Sequence, residues 1–312
     1  MYKKALVTGG AGFIGSNIVK ELIKQGLEVT VLDDLSMGKI ENVPEDAEFI
    51  EGNVCSQANV NSAIKDVDII FHEAARVSIR SSVDGFHKDA ETNLMGTINL
   101  LRCCKNSSVK KLLFASSMAV YSDCDSAVPI SEDYTAEPIS PYGISKLAGE
   151  KYCLQISKSN GIDCHILRYF NTFGAGQALT PYVGVITIFI NALLEGKTPA
   201  IYGDGEQRRD FIHVSDVVRA NILAMKSNLP NAIFNVGTGK DTSVNEIARL
   251  LCDKINPAIK PVHVEAQPGE LRNSIADITN INNKLDFSSK TLLHDKIDEV
   301  IEYYKNKNFL GI

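Results

Sequence analysis

Apolar and polar positions in the first half of the chain switch repeatedly between two periods. Ala5-Leu6-Val7 is a short apolar run that ends in Thr8-Gly9-Gly10. From Phe13 the period changes. Phe13, Ile14, Ile18, Val19, Leu22 and Ile23 fall on one helical face, and Gly26 stops the helix. Glu28 to Leu32 reads as a second strand, with β-branched Val29 and Val31. Ile69-Ile70-Phe71 and Leu112-Leu113-Phe114 read as buried strands. Between them, Asn93 to Cys104 reads as a helix, with Leu94, Ile98 and Leu101 on one face. This alternation predicts an α/β fold with a parallel sheet covered on both faces.

The second half is less regular. Pro129, Pro138 and Pro141 mark a long loop before a helix from about Tyr142 to Ser157. Ile166 to Phe170 is strand-like. Glycine and proline then recur at Gly174, Gly176, Pro181, Gly184, Pro199, Gly203 and Gly205. Such a stretch suits a loop-rich region that shapes a pocket over a rigid sheet.

Composition narrows the partners. A length of 312 residues predicts two domains at roughly 150 residues each. The formal charge of −6 argues against a nucleic acid or an anionic membrane as partner. The seven cysteines are scattered, odd in number and without a C-x-x-C pair, which suits a reducing compartment. The six histidines are dispersed, so no metal site is expected. Glycine arrives too early at the N-terminus for a signal peptide, and the apolar stretch 183–194 is too short to span a bilayer. The expected location is cytoplasmic.

Gly10-Ala11-Gly12-Phe13-Ile14-Gly15 satisfies G-x-G-x-x-G. Alone the pattern is weak. Here it follows a strand, opens a helix, and precedes Asp33 at the end of the second strand. That context predicts a dinucleotide-binding, Rossmann-type doubly wound sheet. Glycines let the backbone approach a pyrophosphate, and the helix N-terminus offers N–H groups to it. Asp33 would accept from ribose hydroxyls. With Asp34 it would repel a 2′-phosphate, so the expected cofactor is NAD rather than NADP.

Tyr142 and Lys146 stand four residues apart on one face of the later helix. Taken alone, such a pair more often marks a solvated helix face. Ser116-Ser117, however, follows the Leu112-Leu113-Phe114 strand at the carboxyl end of the sheet, where ligands bind in this architecture. A nearby ammonium would lower the tyrosine pKa and make Tyr142 a proton acceptor, with Ser117 on the same substrate oxygen.

These motifs resemble the extended short-chain dehydrogenase/reductases of the NAD-dependent epimerase/dehydratase type, and within them the nucleotide-sugar 4-epimerases. The resemblance runs from residue 3 to about residue 285. It includes Phe71-His72-Glu73-Ala74-Ala75, Val120-Tyr121, Arg168-Tyr169-Phe170-Asn171, Ile201-Tyr202-Gly203-Asp204-Gly205, Arg209-Asp210-Phe211-Ile212-His213-Val214, Phe234-Asn235-Val236-Gly237-Thr238-Gly239 and Pro268-Gly269-Glu270. The resemblance implies NAD contacts from Gly9, Gly12, Phe13, Ile14, Gly15, Asp33, Asp34, Ser36, Gly38, Asn53, Val54, Ala74, Ala75, Asn93, Tyr142 and Lys146. It implies a substrate site from Ser78, Ser117, Asn171, Gln177, Val185, Tyr202, Arg209, Arg272 and Ser274, with Ser117, Tyr142 and Lys146 catalytic.

The reaction implied is oxidation of a UDP-hexose at C4, rotation of the 4-keto sugar and reduction from the other face. Met118-Ala119 follows Ser117 where related dehydratases and decarboxylases carry acids, which favours epimerisation over elimination. Small Ser274 at the gatekeeper position implies room for N-acetylated hexoses beside plain ones. The alternatives are an epimerase for another nucleotide sugar, such as UDP-glucuronate, or a dehydratase. A non-catalytic dinucleotide-binding regulator would be expected to lack Tyr142 or Lys146, and both are present.

Five positions depart from the family pattern. Gln267 replaces an arginine, Ala175-Gly176 a Pro-Arg, Asn53 an aspartate and Ser122 a glycine. The cofactor domain is expected over residues 1–168 and 209–237. A smaller mixed α/β substrate-binding domain is expected over 169–208 and 238–312. A homodimer is expected through helices near 85–105 and 142–158.

Overall fold

The computed structural model describes residues 2–77, 79–124, 127–178, 184–266 and 271–309. The first part of the chain runs β1 (Lys4–Thr8), α1 (Phe13–Lys24), β2 (Glu28–Asp33), β3 (Glu48–Glu51), α2 (Gln57–Ala63), β4 (Ile69–His72), α3 (Ile79–Asp84) and α4 (Phe86–Ala90). A π-helical turn, Glu91–Met95, leads into α5 (Gly96–Cys104), β5 (Lys111–Ser117), α6 (Pro141–Ser159) and β6 (Asp163–Tyr169). Then come β7 (Asn171–Phe173), α7 (Val185–Leu194), β8 (Ala200–Tyr202), β9 (Arg208–Arg209), β10 (Phe211–His213), α8 (Val214–Lys226) and β11 (Ala232–Val236). The chain closes with β12 (Thr242–Ser243), α9 (Val244–Ile255), β13 (Val262–Val264), β14 (Asn273–Ser274), α10 (Thr279–Leu285) and α11 (Leu293–Phe309).

Seven strands form one sheet in the order β11-β6-β5-β4-β1-β2-β3. Every neighbouring pair in it is parallel. The continuous apolar runs follow from burial on both faces. Side chains alternate, so Val7, Phe71, Leu113 and Leu167 meet α1 and α8 on one face. Their neighbours Leu6, Ile70, Leu112 and Ile166 meet α5 and α6 on the other. Each fully buried side chain of this kind contributes roughly 1.5–3 kcal/mol. Strand order reverses between β1 and β4, which opens a crevice at their carboxyl ends.

The expected doubly wound α/β fold is therefore present, and α1 and α6 lie where the patterns placed them. The four-residue edge strand β3 was not legible. The helix expected over 93–104 begins at Phe86 and contains the π-turn.

A separate core of Phe173, Phe189, Ile190, Leu251, Ile297 and Val300 joins α7, α9 and α11 beside three small sheets. Ile281, Leu285 and Phe287, assigned by sequence to the smaller domain, pack instead on the α1/α8 face of the large sheet. Among the described residues no helix is long and apolar enough to cross a membrane, and no histidine, cysteine and carboxylate cluster could hold a metal ion.

Candidate active site

The cradle after β1 depends on glycine at two places. Gly9 has φ +71°, and a Cβ on it would lie 2.6 Å from the Ala74 nitrogen. A Cβ on Gly15 would lie 2.2 Å from the Gly9 carbonyl oxygen. Gly12 caps α1, whose first-turn N–H groups at Phe13, Ile14 and Gly15 have no acceptor within the helix. Those groups and the positive helix end suit a pyrophosphate. Gly38 packs against Ala11, where a Cβ would come within 2.7 Å of the backbone. Asn99 Nδ2 holds the Val54 carbonyl at 2.8 Å. Ala74, beside Ala75, donates its N–H to Thr8 Oγ1 at 3.3 Å.

Asp33 closes the cradle at the end of β2. It accepts the Ala11 N–H on Oδ2 and the Leu35 N–H on Oδ1, both at 2.9 Å. Burial raises its pKa, with Asp34 adding to the rise. Each carboxylate oxygen has a second lone pair, so these bonds leave acceptor capacity for ribose hydroxyls. Asp34 takes the Ser36 N–H at 3.0 Å and Asn53 Nδ2 at 2.9 Å. Asn53 Oδ1 accepts the Cys55 N–H at 2.8 Å. The Asn53 amide thus tethers two loops of the cradle. These residues fit a dinucleotide.

Asn93, expected among the cofactor contacts, is held by the loop after β4. Asn93 is buried in the π-turn, where its Oδ1 accepts the Arg76 N–H at 2.8 Å. Its Nδ2 donates to the Arg76 carbonyl at 2.9 Å and to Asp89 Oδ2 at 3.0 Å. Through these bonds Asn93 clamps the loop after β4. The extra residue of a π-turn is a common way to re-aim a side chain in a helix.

Ser117, Tyr142 and Lys146 converge at the carboxyl end of β5. Ser140 caps α6 through the Gly143 N–H at 3.1 Å, and Pro141 occupies its first turn. Gly143 lets α6 approach the turn after β5; a Cβ there would lie 2.1 Å from the Ala119 oxygen. Ser117 Oγ accepts the Ala119 N–H at 3.2 Å and acts to lower the pKa of the Tyr142 phenol. Lys146 Nζ donates to the Ala115 carbonyl at 2.8 Å and lies 6.0 Å from the Tyr142 ring centroid.

The expected lowering of the Tyr142 pKa is outweighed. Burial pushes the phenol up to about 12; Ser117 opposes this, while the charges of Asp89 and Glu73 add to it. Burial also draws Lys146 down to about 8, against the charges of Glu73 and Asp89.

A cavity of about 330 Å³ opens beside these groups. Ser117, Met118, Tyr142, Asn171, Gln177, Val185, Tyr202 and Arg209 line it, so most of the expected substrate residues are brought together. Ser78 and Gln267 lie outside the described residues. Two others do not reach the cavity wall. Arg272 is paired with Asp204 at 2.7 and 2.9 Å. Ser274 is fully buried one layer back, and its Oγ accepts Asn171 Nδ2 at 3.3 Å.

Sequence reasoning left three participants out of the site. Tyr169 lines the cavity, and its hydroxyl donates to Glu73 Oε1 at 2.9 Å. Behind Ser117, Glu150 accepts Arg168 Nε at 2.8 Å, Arg168 Nη2 at 2.7 Å and Ser116 Oγ at 2.5 Å. The signals were a carboxylate directly after a buried strand and a Glu two helical turns beyond Tyr142.

The NAD dependent epimerase/dehydratase family matches residues 5–237. A putative UDP-glucose 4-epimerase of Methanocaldococcus jannaschii is 38% identical over 97% of this chain and 99% of its own. The UDP-glucose 4-epimerase of Thermotoga maritima, solved with UDP-glucose, superposes with a TM-score of 0.94 at 37% identity, covering 98% of this chain and 99% of its own. The UDP-N-acetylglucosamine 4-epimerase of Methanobrevibacter ruminantium, solved with UDP-N-acetylmuramic acid, gives 0.92 at 36% identity, with coverage of 98% and 99%. With a nucleotide cradle, a Ser117/Tyr142/Lys146 constellation and similarity along its whole length, the chain belongs to the NAD-dependent epimerase/dehydratase family.

Proposed function

We propose that the protein is a UDP-hexose 4-epimerase acting on UDP-glucose and UDP-galactose, and on their N-acetylated counterparts. One observation carries the choice within the family: among the described residues, no carboxylate lines the cavity. Met118 forms its wall directly after Ser117. Elimination or decarboxylation would draw on an acid or base beside the sugar carbons, whereas epimerisation at C4 needs none. The two relatives described above, 4-epimerases solved with a UDP-sugar, support this reading.

Bound NAD supplies a two-electron acceptor for the hydrogen at C4 and, once reduced, the donor that gives it back. Asp33 and the first turn of α1 hold the dinucleotide. Tyr142 takes the proton of the sugar 4-hydroxyl and returns it after the 4-keto sugar has turned over. Ser117 hydrogen-bonds the same oxygen. Lys146 sets positive charge beneath the phenol, which burial alone would keep protonated. Asn171, Gln177 and Arg209 hold the diphosphate and the sugar. The recessed Ser274 leaves space for an acetamido group.

A homodimer completes the reading. Val83, Phe86, Met95, Ile144 and Tyr152 are exposed apolar side chains on α3, α4, the π-turn and α6, with Phe86 62% exposed. Leu100 of α5, by contrast, is buried within the monomer. Light scattering in solution tests the dimer. Free cysteines throughout fit a cytoplasmic location.

The deciding experiment incubates the enzyme separately with UDP-glucose, UDP-galactose, UDP-GlcNAc, UDP-GalNAc and UDP-glucuronate, and identifies each product. Interconversion of both hexose pairs is expected. A 4-keto-6-deoxy product would overturn the assignment, and turnover of UDP-glucuronate alone would move it to that sugar.

A further inference from the structure

Glu73 directly follows β4, beside Ala115 of β5, since His72 is in register with Phe114. Tyr169 ends β6 on the other side of β5, in register with Ser117. The two strands flank β5, so the 2.9 Å bond from the Tyr169 hydroxyl to Glu73 Oε1 crosses the end of β5. Ala115 lies on the same face as Tyr169, and its small side chain leaves room for the crossing. Asn221 on α8 fixes the arrangement by donating to the Tyr169 oxygen at 2.8 Å. Lys146 approaches the same strand end from α6, on the opposite face, and its Nζ binds the Ala115 carbonyl at 2.8 Å.

We propose that Glu73 is a positioning residue that acts through Lys146: its carboxylate, pinned by Tyr169, is the counter-charge that keeps Lys146 in its ammonium form beneath Tyr142. The inference rests on the reading that Tyr142 and Lys146 carry the chemistry.

Of the other groups around Lys146, Asp89 adds a second, lesser negative charge, Glu150 is neutralised by Arg168, and the rest are neutral. Asp89 on α4 accepts Ser145 Oγ at 2.7 Å and Asn93 Nδ2 at 3.0 Å. Glu150 on α6 is tied to Arg168 and Ser116. Burial pushes the Cys153 thiol well up, so it holds its proton. His72 on β4 is drawn down to about 3, first by burial and then by Lys146, so it is neutral. Burial pushes the Tyr142 phenol up to about 12, so it lends Lys146 little standing negative charge. Glu73 has a neutral phenol as its partner and is the leading charge opposing the fall in the Lys146 pKa. Burial brings the Glu73 carboxyl itself to about 7, with Tyr169 and Lys146 pulling the other way.

The test is a titration of Lys146 in the NAD-loaded enzyme carrying ¹³C at the lysine ε-carbons. The signal is assigned by its loss in Lys146→Arg. Glu73→Gln keeps the shape and an acceptor for Tyr169 but removes the charge. Its Lys146 midpoint should fall by about one unit, a shift typical of losing a nearby opposite charge. Tyr169→Phe, which unpins the carboxylate, should shift it in the same direction, and Glu73→Asp should restore it in part. In turnover, the alkaline limb of kcat/KM for Glu73→Gln should move to lower pH by the same amount. A merely structural role would lower activity equally at every pH. An unchanged Lys146 midpoint in folded Glu73→Gln overturns the proposal. If that variant does not fold, an unchanged midpoint in Tyr169→Phe does so. The titration needs no substrate, so an error in the substrate assignment would leave its result intact.

Discussion

Glu150→Ala strikes the buried ion pair behind the catalytic serine. The Glu150 and Arg168 side chains are only 1% and 3% exposed. Removing the carboxylate leaves the guanidinium with two neutral acceptors, the Tyr121 hydroxyl at 2.9 Å and the Glu132 carbonyl at 3.1 Å. A buried charge stripped of its partner costs roughly 3–5 kcal/mol. That is a large share of a total stability of about 5–15 kcal/mol. With an urea m-value of about 2–3 kcal/mol/M, the unfolding midpoint should fall by about 1–2 M. The double variant Glu150→Leu with Arg168→Met removes both charges and should regain most of the loss, because burying the pair cost desolvation in the first place. Its turnover should stay depressed, since Ser116, next to Ser117, still lacks its acceptor. Equilibrium unfolding in urea decides the matter. A single variant within about 1 kcal/mol of wild type, the range of an exposed pair, would refute the reasoning. So would a double variant no more stable than the single.

Tyr142→Phe should lower turnover by about 10²–10⁴, the usual range for a general acid–base group, while NAD stays bound by fluorescence. Gly15→Ala puts a Cβ 2.2 Å from the Gly9 oxygen, where only backbone could yield; calorimetry should show NAD binding weakened by about tenfold or more, or 1.4 kcal/mol. Arg209→Ala should raise KM well beyond Arg272→Ala, because Arg209 lines the cavity while the Arg272 side chain is taken up by Asp204. Asp68 is held at about 2, mainly by Lys110 and the Lys3 N–H, below its ordinary value. Its stabilisation is present above pH ~4 and lost as pH falls towards ~2, so the deficit of Asp68→Asn in denaturation at neutral pH should shrink across that window.

The sheet was legible because its strands are buried on both faces and therefore read as unbroken apolar runs. Leu6-Val7 and Leu112-Leu113 each send one side chain to α1 or α8 and the other to α5 or α6. The edge strand β3 has one neighbour and partly exposed side chains, so Glu48 to Glu51 gave too little pattern. The cradle was legible because glycine at positions 9 and 15 answers a steric demand that no other residue meets. The catalytic spacing survived for a similar reason, since one helix face holds Tyr142 and Lys146. Their protonation was not legible. It depends on Glu73, Asp89 and burial, which the fold assembles from elements remote in sequence.

Charge recognition shows how the fold places differently two cations that the sequence treats alike. A chain of net charge −6 that binds an anion must concentrate its few cations locally. Arg209 and Arg272 were both expected to do so. In the fold, Arg272 works through its backbone. Its carbonyl accepts Arg209 Nη1 at 3.2 Å and the Arg208 N–H at 3.1 Å, which seats β14 against β9. Ser274, two residues on, does the same for the opposite wall by holding Asn171. Neither residue lines the cavity, yet each is bonded to one that does, Arg209 or Asn171. A large side chain at 274 would have to displace Asn171 before it met the sugar, so pocket size and diphosphate grip are coupled through one strand. A substitution meant to widen or narrow the hexose pocket should therefore alter nucleotide affinity as well.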